Sequence, residues 1–240
     1  QDFIAEHFST GAILVLIVIA AMTMLSYYKK KHPKEKKRSP FRYAFYILER
    51  PFDGFWDLKR EKRGTVKTGL LLILLAGIAL IFQSQYSGFI FNPSGGRNIL
   101  IDVAILLIPL TLWVCSTWCV TSLMYGEGSM KDIITATGYS VTPLVILLPI
   151  ATVLSRVLIQ TEGQVYSLIV TVAYIWMAFL LIAGVRQTHD YTMGKTVGVI
   201  VISIVVILII IFLFILSTAL IQQMVAFFNH VYQELSLRIP

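Results

Sequence analysis

The chain is written in long apolar runs separated by short polar breaks. Six runs are long enough to cross about 30 Å of hydrocarbon at about 1.5 Å per helical residue. They cover roughly Thr10 to Tyr28, Thr68 to Phe82, Ile99 to Leu123, Gly138 to Ile159, Tyr166 to Val185 and Thr196 to Ile221. The sixth continues with helical character towards Leu235. The predicted fold is therefore all-α, a polytopic integral membrane helix bundle of about six transmembrane helices.

Between the first and second runs lies a different pattern. Phe41, Ala44, Phe45 and Leu48 recur at helical spacing, Pro51 interrupts, and Phe52, Phe55, Trp56 and Lys59 then share one side. Asp53, Asp57 and Arg60 fall elsewhere on the second piece. Two short amphipathic helices follow, either lying at head-group level or packed against the ends of the bundle. Asn92-Pro93-Ser94-Gly95-Gly96 and Thr161-Glu162-Gly163 read as simple turns.

Composition agrees with the pattern. Hydrophobic residues make up 57% of the 240 and charged residues 14%, with mean hydropathy +0.77. A soluble surface needs about 25% charged residues.

The charge is concentrated. Residues 29–67 hold fourteen of the twenty Lys and Arg and five acids, a local net of 14 − 5 = +9. The segment suits anionic lipid head groups, with Trp56, Lys59, Arg60, Lys62 and Arg63 as the interface residues; no nucleic-acid module accompanies it. Placing it in the cytoplasm also brings Lys131, Arg186 and Lys195 inside, seventeen basic residues against Arg97, Arg156 and Arg238 outside. The positive-inside rule then puts both chain ends outside a cell membrane. The divisions are an N-terminal transmembrane anchor over 1–28, a basic cytoplasmic interfacial segment over 29–67 and a five-helix membrane domain over 68–240.

Reactive chemistry is sparse. There is no phosphate-cradling glycine loop, no HExxH and no CxxC. His7, His32, His189 and His230 fall on both membrane sides, so they cannot share a metal. Cys115 and Cys119, four apart on one helix, are expected to be buried small hydrophobes. No catalytic, cofactor-binding or metal residue is assigned, and no enzyme is expected. Asp102 is expected near the outer interface, hydrated or paired with Arg97 or Arg156. Pro109, Pro143 and Pro149 fall inside spans, where each removes a backbone hydrogen bond.

The most informative loop is Tyr125-Gly126-Glu127-Gly128-Ser129-Met130-Lys131-Asp132. Its glycines allow a tight turn, and Ser129 can cap a helix starting at Met130, with Asp132 favouring the positive end. That helix is expected to lie short and amphipathic at the cytoplasmic surface, before Gly138, Tyr139 and Pro143 open the fourth span. Glu127, Ser129, Lys131, Asp132, Tyr139 and Pro143 form the candidate partner interface.

Three stretches resemble the Yip membrane-domain family, relatives of the Ypt/Rab-interacting proteins, in its bacterial branch. Arg50-Pro51 through Trp56, Leu58 and Lys59 is similar to the Pro-then-Trp lead-in to the family's first core span. Gly126-Glu127-Gly128-Ser129, then Gly138-Tyr139-Ser140 and Pro143, is similar to its Gly-x-Gly loop and Tyr-x-x-x-Pro helix start. Trp176 and the loop from Gly184 to Lys195 are similar to its penultimate-span ending. The resemblance covers about 45–225 and implies a five-span core, here the second to sixth spans. The first span is then an addition tethering something outside the cell, such as an extracellular domain upstream of Gln1.

Bacterial relatives are often encoded beside carbohydrate ABC importers, which implies an accessory subunit with a permease or ATPase as partner. Asp132, Gly138 and Leu148-Pro149 also match the spacing of a cytoplasmic ABC-permease motif. Ile133 and Ile134 replace its alanines and Leu148-Pro149 falls inside a span, which are the departures of a chance match. The leading expectation is a non-enzymatic scaffold or accessory subunit. The alternative is a transporter or channel whose proline-broken third and fourth spans line a path through Gly138, Ser140 and Thr142.

Overall fold

The computed structural model describes residues 40–88, 98–159 and 162–238. The predicted first span and the lysine run from Lys29 to Lys37 lie outside the described residues. Eight helices follow in order: α1 (Pro40–Glu49), α2 (Pro51–Arg60), α3 (Val66–Tyr86), α4 (Ile99–Leu123), α5 (Met130–Ser140), α6 (Thr142–Leu154), α7 (Gly163–His189) and α8 (Met193–Arg238). No strand occurs among the described residues. Taking α5 and α6 as one span, five spans among the described residues are long and apolar enough to cross a membrane.

Four of those spans match the apolar runs to within a few residues, apart from the end of α8, which carries the predicted continuation to Arg238. The fourth run behaves differently. It begins at Met130 rather than near Gly138, and its backbone breaks between α5 and α6 at Val141. Pro143 starts α6 and cannot donate into the preceding turn. Thr142 Oγ1 donates to the Tyr139 carbonyl at 2.6 Å and Ser140 Oγ to the Ala136 carbonyl at 2.8 Å, so hydroxyls serve carbonyls around the break.

This broken span is the centre of the bundle. It is 67% buried along its apolar window, against 11% for α8. α3 and α7 flank it, with α3 on α5 and α6 and α7 on the same two. The core runs through Leu72, Ala76, Tyr139, Leu144, Leu148 and Leu180. α4 leans on α3 and α5 and carries the first half of α8 on its far side. The sequence places the start of α5 at the membrane surface, but Ile133, Thr135, Ala136 and Thr137 are buried. Its polar residues misled the periodicity because they bond inward to their own helix: Thr135 Oγ1 donates to the Lys131 carbonyl at 2.7 Å.

Gly138 sets a close approach between two spans. A β-carbon there would lie 2.5 Å from both the α-carbon and the carbonyl oxygen of Gly69, so α3 and α5 cross backbone to backbone.

α1 and α2 lie against one end of this bundle, called here the basic end. α2 rests on α7, and α1 on α2 and α6. Tyr43, Ala44, Ile47, Phe55 and Leu58 enter the core, while Phe41, Phe45 and Trp56 stay exposed. The Tyr43 hydroxyl donates to the Gly54 carbonyl at 2.7 Å, fastening the two short helices.

One expectation needs correction and another is narrowed. Cys115 and Cys119 are free but exposed on the outward face of α4, because the small buried positions beside them, Ser116, Thr117 and Val120, take the packed side. Asp102 sits in the first turn of α4, as its place near the span's end implies, but is buried at 2% exposure rather than hydrated. The first turn of a helix favours a carboxylate. Arg97 lies outside the described residues, and Arg156 Nε donates to the Tyr86 carbonyl at 3.0 Å.

Candidate functional site

The basic end gathers segments far apart in the chain. The first is the end of α2. Lys59 Nζ lies 3.4 Å from Glu127 Oε2 and Arg60 Nη2 lies 2.9 Å from Asp190 Oδ2. One short helix thus grips both the α4–α5 loop and the α7–α8 turn. Arg63 pairs with Glu61, and exposed Lys62 takes a left-handed backbone with φ 49°. Trp56 is 45% exposed on the same helix. Three of the five expected lipid-interface residues are therefore engaged in ion pairs.

The second segment is the Gly126–Gly128 loop. Its glycines are required by their neighbours: a β-carbon on Gly126 would lie 2.4 Å from His189 Nδ1 and 2.6 Å from the Tyr191 hydroxyl oxygen, and one on Gly128 would lie 2.7 Å from His189 Cε1. The Gly126 amide donates to the Thr121 carbonyl at 2.9 Å and the Gly128 amide to His189 Nδ1 at 3.2 Å. Ser129 then caps α5 in a reciprocal box: its hydroxyl and amide both donate to Asp132 Oδ2, at 2.7 and 2.9 Å, and its Oγ accepts from the Asp132 amide at 3.4 Å.

The third segment is the turn that receives the loop. α7 ends on His189, and Asp190 closes it in the left-handed conformation at φ 55°. The His189 and Tyr191 rings stack at 5.4 Å, Tyr191 donates to the Met124 carbonyl at 3.4 Å, and Lys195 Nζ lies 4.2 Å over the Tyr191 ring. Burial pushes the Tyr191 phenol up, keeping it a protonated donor.

His189 is 2% exposed. Because Nδ1 accepts from Gly128, the proton of the neutral ring sits on Nε2. Nε2 is buried without a hydrogen-bond partner. The ring lines a cavity with Trp113, Thr137, Ser140 and Thr188, with about 10 Å³ open to the centre of a water molecule. That is room for about one water.

Of the expected partner residues, Glu127, Ser129 and Lys131 are exposed and Asp132 half-buried. Tyr139, 0% exposed, and Pro143 lie buried behind them and shape the bundle that carries the loop. In the sequence His189, Asp190 and Tyr191 stand out only as part of the Gly184 to Lys195 loop, with His189 a metal-ligand candidate and no individual role for the other two. A His-Asp-Tyr triplet ending an apolar run was the signal available. Among the described residues no three His, Cys, Asp or Glu side chains gather to hold a metal.

The Yip1 domain family model matches residues 45–216, from α1 through the first half of α8. No curated protein and no solved structure matches the chain.

Proposed function

The chain belongs to the Yip1 domain family, and on that premise we propose that this multi-pass membrane protein is a non-enzymatic scaffold, an accessory subunit of a larger membrane complex. One observation carries the reading. The basic end is a fastened platform, in which α2 ties the Gly126–Gly128 loop and the Asp190 turn together while Tyr125, Glu127, Ser129 and Lys131 stay exposed around it. A surface held in one shape binds with little ordering cost. The positive-inside rule puts that platform in the cytoplasm and the C-terminal end of α8 outside. The partner class we propose is a carbohydrate ABC importer, contacted through its permease or ATPase.

Affinity purification from native membranes tests this. A permease or ATPase should co-elute in stoichiometric amount, and should be lost when Glu127 and Lys131 are replaced by alanine. A chain that elutes alone from gently solubilised membranes overturns the proposal. The basic segment adds lipid attraction of about 1 kcal/mol for each Lys or Arg close to the surface. A peptide of residues 29–63 should therefore prefer anionic to neutral vesicles, and equal binding would refute that part. The transporter reading draws less support, because Leu144, Leu148 and Ala151, each 0% exposed, pack the inward side of the broken span.

A further inference from the structure

The two ring nitrogens of His189 are placed differently. Nδ1 accepts the Gly128 amide at 3.2 Å, so it carries a lone pair and no hydrogen. A hydrogen on Nδ1 would set two donors against each other at that distance. The hydrogen of the neutral ring is therefore on Nε2. Nε2 is buried with no hydrogen-bond partner among the described residues, on a side chain only 2% exposed. A buried donor left unpaired is costly, so this nitrogen asks for an acceptor.

The ring lines a cavity where α4, α5 and α7 meet. Thr137, Ser140 and Thr188 are among its walls, and Trp113 closes the α4 side. Ser140 Oγ gives its own hydrogen to the Ala136 carbonyl at 2.8 Å, which leaves its lone pairs to accept. The cavity has room for about one water. A cation does not suit it, because Nε2 presents a hydrogen and not a lone pair. A buried water needs space and at least two polar partners, and a donor on α7 facing a cavity shared with an acceptor on α5 supplies them.

We propose that this cavity is a binding site for a single ordered water, which accepts from His189 Nε2 and donates to Ser140 Oγ. The water's second hydrogen is offered to the Thr137 and Thr188 hydroxyls that share the cavity. Its role is to position the ring. By holding the hydrogen on Nε2 it keeps Nδ1 ready for the Gly128 amide. Ser140 is the last residue of α5, just ahead of the break at Val141. The hold on the Gly126–Gly128 loop thus passes through the ring and the water to the α5 side of the broken span. The site does not depend on which partner the platform takes.

NMR of the full-length chain in nanodiscs at neutral pH, with isotopically labelled histidine, is the test. The His189 ring, assigned through its own backbone amide, should show a bare Nδ1 and a protonated Nε2, with a cross-peak from the Nε2 hydrogen to a bound water. Ser140→Ala removes the water's acceptor. It should abolish that cross-peak and speed hydrogen exchange at the Gly128 amide about tenfold, the scale of one lost hydrogen bond. Thr135→Ala removes another self-bonded hydroxyl of α5, outside the cavity wall, and should change neither. A protonated Nδ1, or an Nε2 hydrogen with no water cross-peak in the unaltered protein, overturns the proposal, and neither result depends on a variant folding. So does a Ser140→Ala protein that keeps both the cross-peak and the slow exchange, or a Thr135→Ala protein whose Gly128 exchange rises as much.

Discussion

At Gly138 a single hydrogen in place of a methyl decides whether two spans can touch. The nearest obstacle to a β-carbon is the backbone of Gly69 at 2.5 Å, which has no rotamer by which to move aside. Gly138→Ala should cost about 1–3 kcal/mol as overpacking, visible as a lower thermal midpoint in detergent. An unchanged midpoint would show that α3 and α5 can separate freely. Asp57, on α2, offers a test in pH. Burial lifts its carboxyl above the ordinary value of 3.8, with Glu61 adding to the rise and Arg63 and the Tyr43 hydroxyl opposing it. A raised acid holds its proton more tightly folded than unfolded. Its stability contribution is therefore full below 3.8 and is lost as pH rises through the raised value. Asp57→Asn should flatten that fall and raise the midpoint at neutral pH; the same pH slope in both proteins would disprove it. The Gly-x-Gly loop was legible as a motif from its residues alone. Its reason, the His189 and Tyr191 rings beneath it, was not, because the rings arrive from about 60 positions further along the chain.

At the level of elements, the pairings of α2 decide how the basic end is assembled. Lys59 meets Glu127 across 68 positions and Arg60 meets Asp190 across 130. Lys59→Glu or Glu127→Lys alone should lower stability, and the two together should recover most of it. For so exposed an acceptor the coupling should be about 0.2–1 kcal/mol, fading with salt. A double variant no better than either single one would show that the pair does not couple the elements. Ser129→Ala should cost about 1 kcal/mol through the α5 cap, read in the same melts, with no loss if the box contributes nothing. Helix existence was legible because lipid demands unbroken apolar runs about 20 residues long. The burial of α5 was not, since Thr135, Thr137 and Ser140 look polar in sequence and two of them satisfy themselves within their own helix. The amphipathic α1 and α2 were legible as helices, but periodicity alone could not choose between head groups and bundle as the thing their buried faces meet.

For the whole molecule, charge asymmetry gives a direct prediction. With Cys115 and Cys119 replaced by alanine, a cysteine at Lys62 should react with a membrane-impermeant maleimide only in broken cells, and one at Gln233 also in intact cells. The reverse pattern would invert the topology and move the platform outside. The five-span core followed from hydropathy together with the lead-in, loop and turn resemblances, and the family match over 45–216 covers the same elements. What lay beyond the sequence was the layout, with the broken span at the centre and α8 at the rim. Hydropathy ranks α8 as the most apolar helix, yet it is the least buried, because in a membrane oiliness measures contact with lipid rather than depth in the protein.

α8 also has the proportions of a lever. Its fulcrum is the short stretch from Tyr191 to Ser203, where ring, cation and seam hold it against the bundle. A tilt of about 10° there carries the tip, about 53 Å beyond Ser203, through about 9 Å. A small push at the loops that surround that fulcrum would thereby be enlarged at the far end of the helix.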